Sequence, residues 1–168
     1  MEAIELQFSR KGFVDKIGMQ RVTGYIDNCL EKFDTSLIEW IKLLPLDKNH
    51  ILHGECAYPV KNIEDNSIIE KGYRIRASVN VELVPPYKFS HWGRIPSNSH
   101  KQGWYSGEKA FYWDTLEEVA VHTLSHESFH FLSHSKQVKM KNTEANANWW
   151  ADNWLAEFCN LHKDLCDH

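Results

Sequence analysis

The sequence has no apolar run approaching the ~18 residues that a membrane-spanning helix needs, so no membrane span is expected. It has no C-x-x-C pair. Its four cysteines, Cys29, Cys56, Cys159 and Cys166, stand apart, which argues against a zinc ribbon. It has little excess of charge of one sign. A formal net charge of −4 gives no general attraction to nucleic acid, although a local basic patch could still supply one. The first residues, Met1-Glu2-Ala3-Ile4-Glu5, lack the basic and then apolar stretch of a secretory signal, so the expected location is the cytoplasm. There the cysteines are expected to be reduced thiols. Cys159, His162 and Cys166 can share one face of a C-terminal helix, which makes them a minor alternative metal set. Internal repeats and low-complexity segments are also missing. A length of 168 residues suits one domain, expected over 1–168.

What is present begins with periodicity. Ile4-Glu5-Leu6-Gln7-Phe8 alternates and predicts a strand. Val22, Ile26, Leu30, Phe33, Leu37, Ile41 and Leu44 recur every three or four residues and predict helix up to Pro45, with Ser36 and Glu39 as a capping box for a second segment. Tyr73 to Val84 alternates cleanly and predicts an antiparallel or edge strand, ended by Pro85-Pro86. Residues 85–107 read as a long loop rich in Tyr87, Phe89, Trp92, Trp104 and Tyr105, with Lys88, Arg94 and Lys101 among them. Such a loop can pack on the domain, wall a substrate cleft, or stack on nucleic acid. Lys109 to Trp113 predicts a short strand. Thr115 and Glu118 then form a capping box for a helix running to about Ser135. After a basic connector, Lys136 to Lys141, Asn142-Thr143 can cap a last helix from Glu144 to about Leu161, with Trp150, Trp154, Phe158 and Leu161 as its apolar stripe.

Histidine is abundant, with ten in the chain, and four of them, His122, His126, His130 and His134, recur at a strict four-residue interval. On a helix, residues four apart project from nearly the same face, so His126 and His130 can aim imidazole nitrogens at one ion. Glu127 lies about 100° round the helix, on the His130 side, too far round to join them as a ligand but able to reach a water on the same metal. Catalytic zinc needs a third protein ligand and an open position. Glu144, fourteen positions after His130 and at the start of the next helix, is the candidate, with Asp152 in reserve. His134 and His122 extend the histidine row. His134 could orient a ligand or touch substrate, and His122 could be structural or support a ligand from behind.

At these residues the chain resembles zincin-type metallopeptidases of the gluzincin kind. His126-Glu127-Ser128-Phe129-His130-Phe131-Leu132-Ser133-His134 resembles the H-E-x-x-H-x-x-x-H segment of ImmA/IrrE-like peptidases, and Glu144-Ala145-Asn146-Ala147-Asn148-Trp149-Trp150-Ala151 is similar to the downstream helix of ImmA/IrrE-like and SprT-like proteins. The resemblance spans about Lys109 to Phe158. Asn146 and Asn148 stand where the SprT-like version is acidic, and bulky Phe129 stands where a small residue is common. The resemblance implies an α+β fold, a minimal zincin-like domain with helices packed on a small twisted, mostly antiparallel sheet. Residues 1–72 would supply an N-terminal strand and helix, and 73–168 the sheet, the active-site helix and the third-ligand helix. It also implies that Tyr73 to Val84 or Lys109 to Trp113 is an edge strand that takes extended substrate.

The function expected is zinc-dependent hydrolysis of peptide bonds in a protein or peptide substrate. His126, His130 and Glu144 would hold Zn2+ and Glu127 would act as general base. Tyr105, Tyr112 and His134 are the candidates for stabilising the oxyanion. Two alternatives stay open: a regulatory module whose zinc is only structural, and a nucleic-acid-associated protein using the aromatic, basic segment.

Overall fold

The computed structural model describes residues 18–46, 50–65 and 67–166, so the strand expected over Ile4–Phe8 lies outside the described residues. The fold is α+β. Its elements are α1 (Met19–Leu30), β1 (Ile38–Pro45), β2 (Leu52–Ala57), β3 (Val60–Lys61), β4 (Ile68–Glu70), β5 (Tyr73–Val79), β6 (Tyr87–Pro96), β7 (Trp104–Trp113), α2 (Leu116–His134), α3 (Glu144–Leu161) and α4 (Lys163–Cys166). Among the described residues no helix is long and apolar enough to cross a membrane.

The helical stripe is right only in its first half. Val22, Tyr25, Ile26, Cys29 and Leu30 are all buried along α1. The chain then turns at Asp34, whose side chain accepts a hydrogen bond from the Ser36 amide at 3.0 Å. Leu37, Ile41 and Leu44 keep helical spacing by coincidence, because the intervening Ile38, Trp40 and Leu43 are apolar too. Ile41 and Leu43 are buried two residues apart, as a strand requires, and Ser36 and Glu39 cap nothing.

β1 pairs in parallel with β5, and β2 pairs antiparallel to β5, giving the order β1-β5-β2. β5 is therefore the central strand and not an edge. The edge over the site is β2, so Ile38–Pro45 and Leu52–Ala57 belong to the sheet that the resemblance assigned to 73–168 alone. Ile75, Ala77 and Val79 of β5 are fully buried, and Tyr73 meets Phe131 of α2 edge-on at 4.9 Å. β5 stops at Val79, because Asn80 turns the chain by accepting from the Glu82 amide at 3.0 Å.

The expected aromatic loop is a hairpin. β6 and β7 pair in unbroken register from Tyr87↔Trp113 to Pro96↔Trp104. Its alternation was masked because both faces carry aromatics. Tyr87, Phe111 and Trp113 go into the core while Trp92 and Tyr112 stay exposed. A two-stranded ribbon needs packing to persist, and it gets that from α3. Arg94 lies between the rings of Trp104 (4.4 Å) and Trp149 (4.2 Å) and donates to Asn146 Oδ1 at 2.9 Å.

α2 begins at the expected capping box, with Thr115 Oγ1 accepting from the Glu118 amide and Glu118 reaching back to the Thr115 amide. It runs buried through the middle of the molecule. Thr143 caps α3, which buries the small and amide residues Ala145, Asn146, Ala147, Asn148 and Ala151 as well as Phe158, while Leu161 is exposed. Small side chains let α3 lie close against α2. Cys159 and Cys166 form a disulfide and are not free thiols. α4 turns back to bring their Cα atoms to 5.3 Å, within bridging range. His162, their expected partner on a metal, packs its ring on Phe158 at 4.7 Å.

Candidate metal centre

The loop from Ser135 to Thr143 returns the chain so that the first turn of α3 faces the last turns of α2. Ligand atoms of His126, His130 and Glu144 then lie within 4.8 Å of one another. His126 Nε2 is 3.1 Å from His130 Nε2 and 3.2 Å from Glu144 Oε2, and His130 Nε2 is 3.5 Å from Glu144 Oε1.

The far sides of both rings are fixed. His126 Nδ1 lies 2.8 Å from Asn148 Oδ1, and His130 Nδ1 lies 2.6 Å from Asn142 Oδ1. A carboxamide oxygen only accepts, so each Nδ1 carries the proton and each Nε2 is left with a lone pair. Two imidazole lone pairs and a carboxylate thus face one another across about 3 Å with no donor among them. Without a metal, a proton relieves this. Burial opposes charge on His126, but Glu144 and Glu127 raise its pKa above the usual value. Glu144, hydrogen-bonded by His126, is held down to about 2. Burial, with the charge on His126, lowers the pKa of His130. A cation would also relieve the facing lone pairs, and the donor set of two imidazoles and one carboxylate suits zinc.

Glu127 stands apart from the ligands, its Oε1 4.0 Å from His126 Nε2. It is buried, and burial pushes its carboxyl up to about 7, near the value suited to a general base at neutral pH. It sits directly under β2. A Cβ on Gly54 would lie 2.2 Å from Glu127 Oε1, so any larger residue there would displace the Glu127 side chain.

A cavity of about 400 Å³ opens over these groups. The edge strand β2 walls it with Leu52, His53, Gly54 and Cys56, the hairpin with Phe89 and His91, and Tyr58 closes one end.

The remaining expected residues fall elsewhere. His122 lines the cavity but points its Nε2 at Asp152 Oδ1, 3.4 Å away. Asp152 is bound to Lys109 at 2.5 Å and is no part of the histidine pair's cluster. His134 Nδ1 lies 2.6 Å from the Tyr73 hydroxyl, with its ring stacked on Tyr58 at 4.3 Å, and it does not line the cavity. Tyr105 stacks on exposed His100 at 5.4 Å, and Tyr112 lies under Lys88 at 5.5 Å; neither reaches the cavity. Phe129 is fully buried, packs on Trp150 at 5.6 Å and meets the His130 ring edge-on at 6.1 Å, and it does not line the cavity. Sequence reasoning missed Asn142, Asn148, Gly54, Tyr58 and His91. Asn148, four residues after Glu144, was the one with a readable signal, because an amide one turn from a ligand can brace a second ligand.

No family model matches the chain, and no curated protein or solved structure is significantly similar to it.

Proposed function

We propose that this chain is a zincin-type zinc peptidase acting on extended protein or peptide substrates. The observation that carries the reading is the convergence of two Nε2 lone pairs and the Glu144 carboxylate, with a separate buried carboxylate, Glu127, one residue from the first ligand. His126, His130 and Glu144 would hold the zinc. When bound, zinc supplies Lewis acidity, which makes water nucleophilic near neutral pH and polarises a carbonyl. Glu127 takes a proton from the attacking water and delivers it to the leaving amine nitrogen. Gly54 allows Glu127 its position by leaving the space a Cβ would fill. The substrate chain lies along β2, whose outer edge pairs with no strand among the described residues, so its backbone groups can take up an extended peptide.

The test is zinc content alongside hydrolysis of an unfolded protein such as casein. Wild-type protein is expected to hold one zinc and cleave. Glu127→Gln is expected to hold one zinc and lose about 10²–10⁴-fold in rate. Full activity in that variant removes the mechanism, and a zinc-free wild type removes the metal.

A further inference from the structure

The expected oxyanion candidates, Tyr105, Tyr112 and His134, do not line the cavity, but His91 does. It comes from β6, with its ring stacked on Phe89 at 5.7 Å and edge-on to His126 at 6.4 Å. Its partner is Asn148. The orientation of that amide is fixed by a third contact: Asn148 Nδ2 donates to the Trp92 carbonyl at 2.5 Å, and a carbonyl accepts only from the nitrogen end. Asn148 Oδ1 therefore faces His126 Nδ1, and Nδ2 faces His91 Nδ1 at 3.5 Å. One amide thus dictates opposite tautomers. His126 must carry its proton on Nδ1 and present Nε2 as a lone pair. His91 must accept on Nδ1 and carry its proton on Nε2.

We propose that His91 is a catalytic residue whose Nε2–H donates a hydrogen bond to the scissile carbonyl oxygen as it becomes an oxyanion, with Asn148 as the positioning residue that sets its tautomer. This rests on the peptidase reading above. A donor to the oxyanion is the one component that the ligands and Glu127 do not provide, and removing one such donor costs about 10²–10³-fold. His91 Nδ1 is 3.9 Å from Glu144 Oε2 and lies outside the three-residue ligand cluster. The ring lines the cavity beside the cluster, and a ligand role would need its Nδ1 to leave Asn148.

The experiment uses the zinc-loaded full chain with 15N-labelled histidine, the same protein carrying His91→Phe, and His91→Gln as the variant that keeps an N–H donor. Long-range proton–nitrogen spectra read the tautomers, metal analysis reads zinc, and calorimetry reads binding of a phosphonamidate tripeptide, whose tetrahedral phosphoryl oxygen mimics the oxyanion. The expected result is a wild-type His91 protonated on Nε2 alone. Zinc should be unchanged in both variants. Phosphonamidate affinity should fall about 10²–10³-fold in His91→Phe and less in His91→Gln. Protonation on Nδ1, loss of zinc in His91→Phe, or equal phosphonamidate affinity in wild type and His91→Phe would each overturn the proposal. Failure of the wild type to bind the phosphonamidate at all would overturn the peptidase reading together with this one. The spectra need no turnover and would still report which nitrogen of His91 carries the proton.

Discussion

Two histidine–carboxylate groupings sit on the same pair of helices two turns apart, and they differ in what faces the carboxylate. At one end, His126 and His130 of α2 face Glu144 of α3. At the other, His122 of α2 faces Asp152 of α3. The residue types and helical spacing are alike, yet the second grouping already contains its cation, the ammonium of Lys109. Burial works to raise the pKa of Asp152, but His122 and Lys109 together hold it below the usual range. Burial lowers the pKa of His122 against the pull of Asp152. The first grouping has no lysine or arginine in reach of its carboxylate among the described contacts. The groups that meet Glu144 there are the imidazoles of His91, His126 and His130. Helical spacing alone does not separate a candidate metal centre from a structural ion pair. The arrival of a third element does, and here β7 brings Lys109 to one pair while the open cavity lies over the other.

Exchange of the two carboxylates gives the largest contrast. Glu144→Ala leaves two imidazoles and is expected to abolish stoichiometric zinc binding, measured by metal analysis after dialysis. Asp152→Ala is expected to keep one zinc and to lose about 1.5–3 kcal/mol of stability, read by urea unfolding, because it strips hydrogen bonds from a charged group. Zinc loss in both variants, or in neither, would erase the distinction drawn between the two ends. Gly54→Ala comes next. The new Cβ would displace Glu127 without touching a ligand, so zinc should stay while hydrolysis falls about 10²-fold, the usual scale for a misplaced catalytic group. Equal activity would mean that Glu127 is not held where it works. Asn142→Ala and Asn148→Ala each free one ligand ring and should weaken zinc about 10–100-fold in a chelator competition.

The α2–α3 half of this comparison was legible in the sequence. Capping residues, histidine spacing and an acidic helix start are local signals, and Thr115, Thr143, His126, His130 and Glu144 took their expected positions along the chain. The half supplied by strands was not. β1 kept helical spacing by accident, and the two-faced aromatic hairpin hid its alternation. The choice of β2 as edge depends on β1 crossing to the far side of β5, which no local pattern encodes. For the same reason Gly54 and His91 were invisible. Each matters only through a contact more than thirty residues away in sequence, with Glu127 for one and Asn148 for the other.

The smallest effect probes the filled end directly. Lys109→Met removes the ammonium but keeps most of the aliphatic stem, leaving His122 facing Asp152 with no cation. If occupancy by lysine were all that separated the two ends, this variant would take up a second zinc. It is expected not to, because His122 and Asp152 provide two ligand groups where the other end provides three, and a structural or catalytic zinc needs at least three from the protein. The expected outcome is one zinc per chain and a loss of about 1 kcal/mol, since Lys109 and Asp152 are both about one-third exposed and the pair is partly screened. A second equivalent of zinc in Lys109→Met would show that the ligand count matters less than the competing lysine. The third element would then act only by filling a site that the two helices already define.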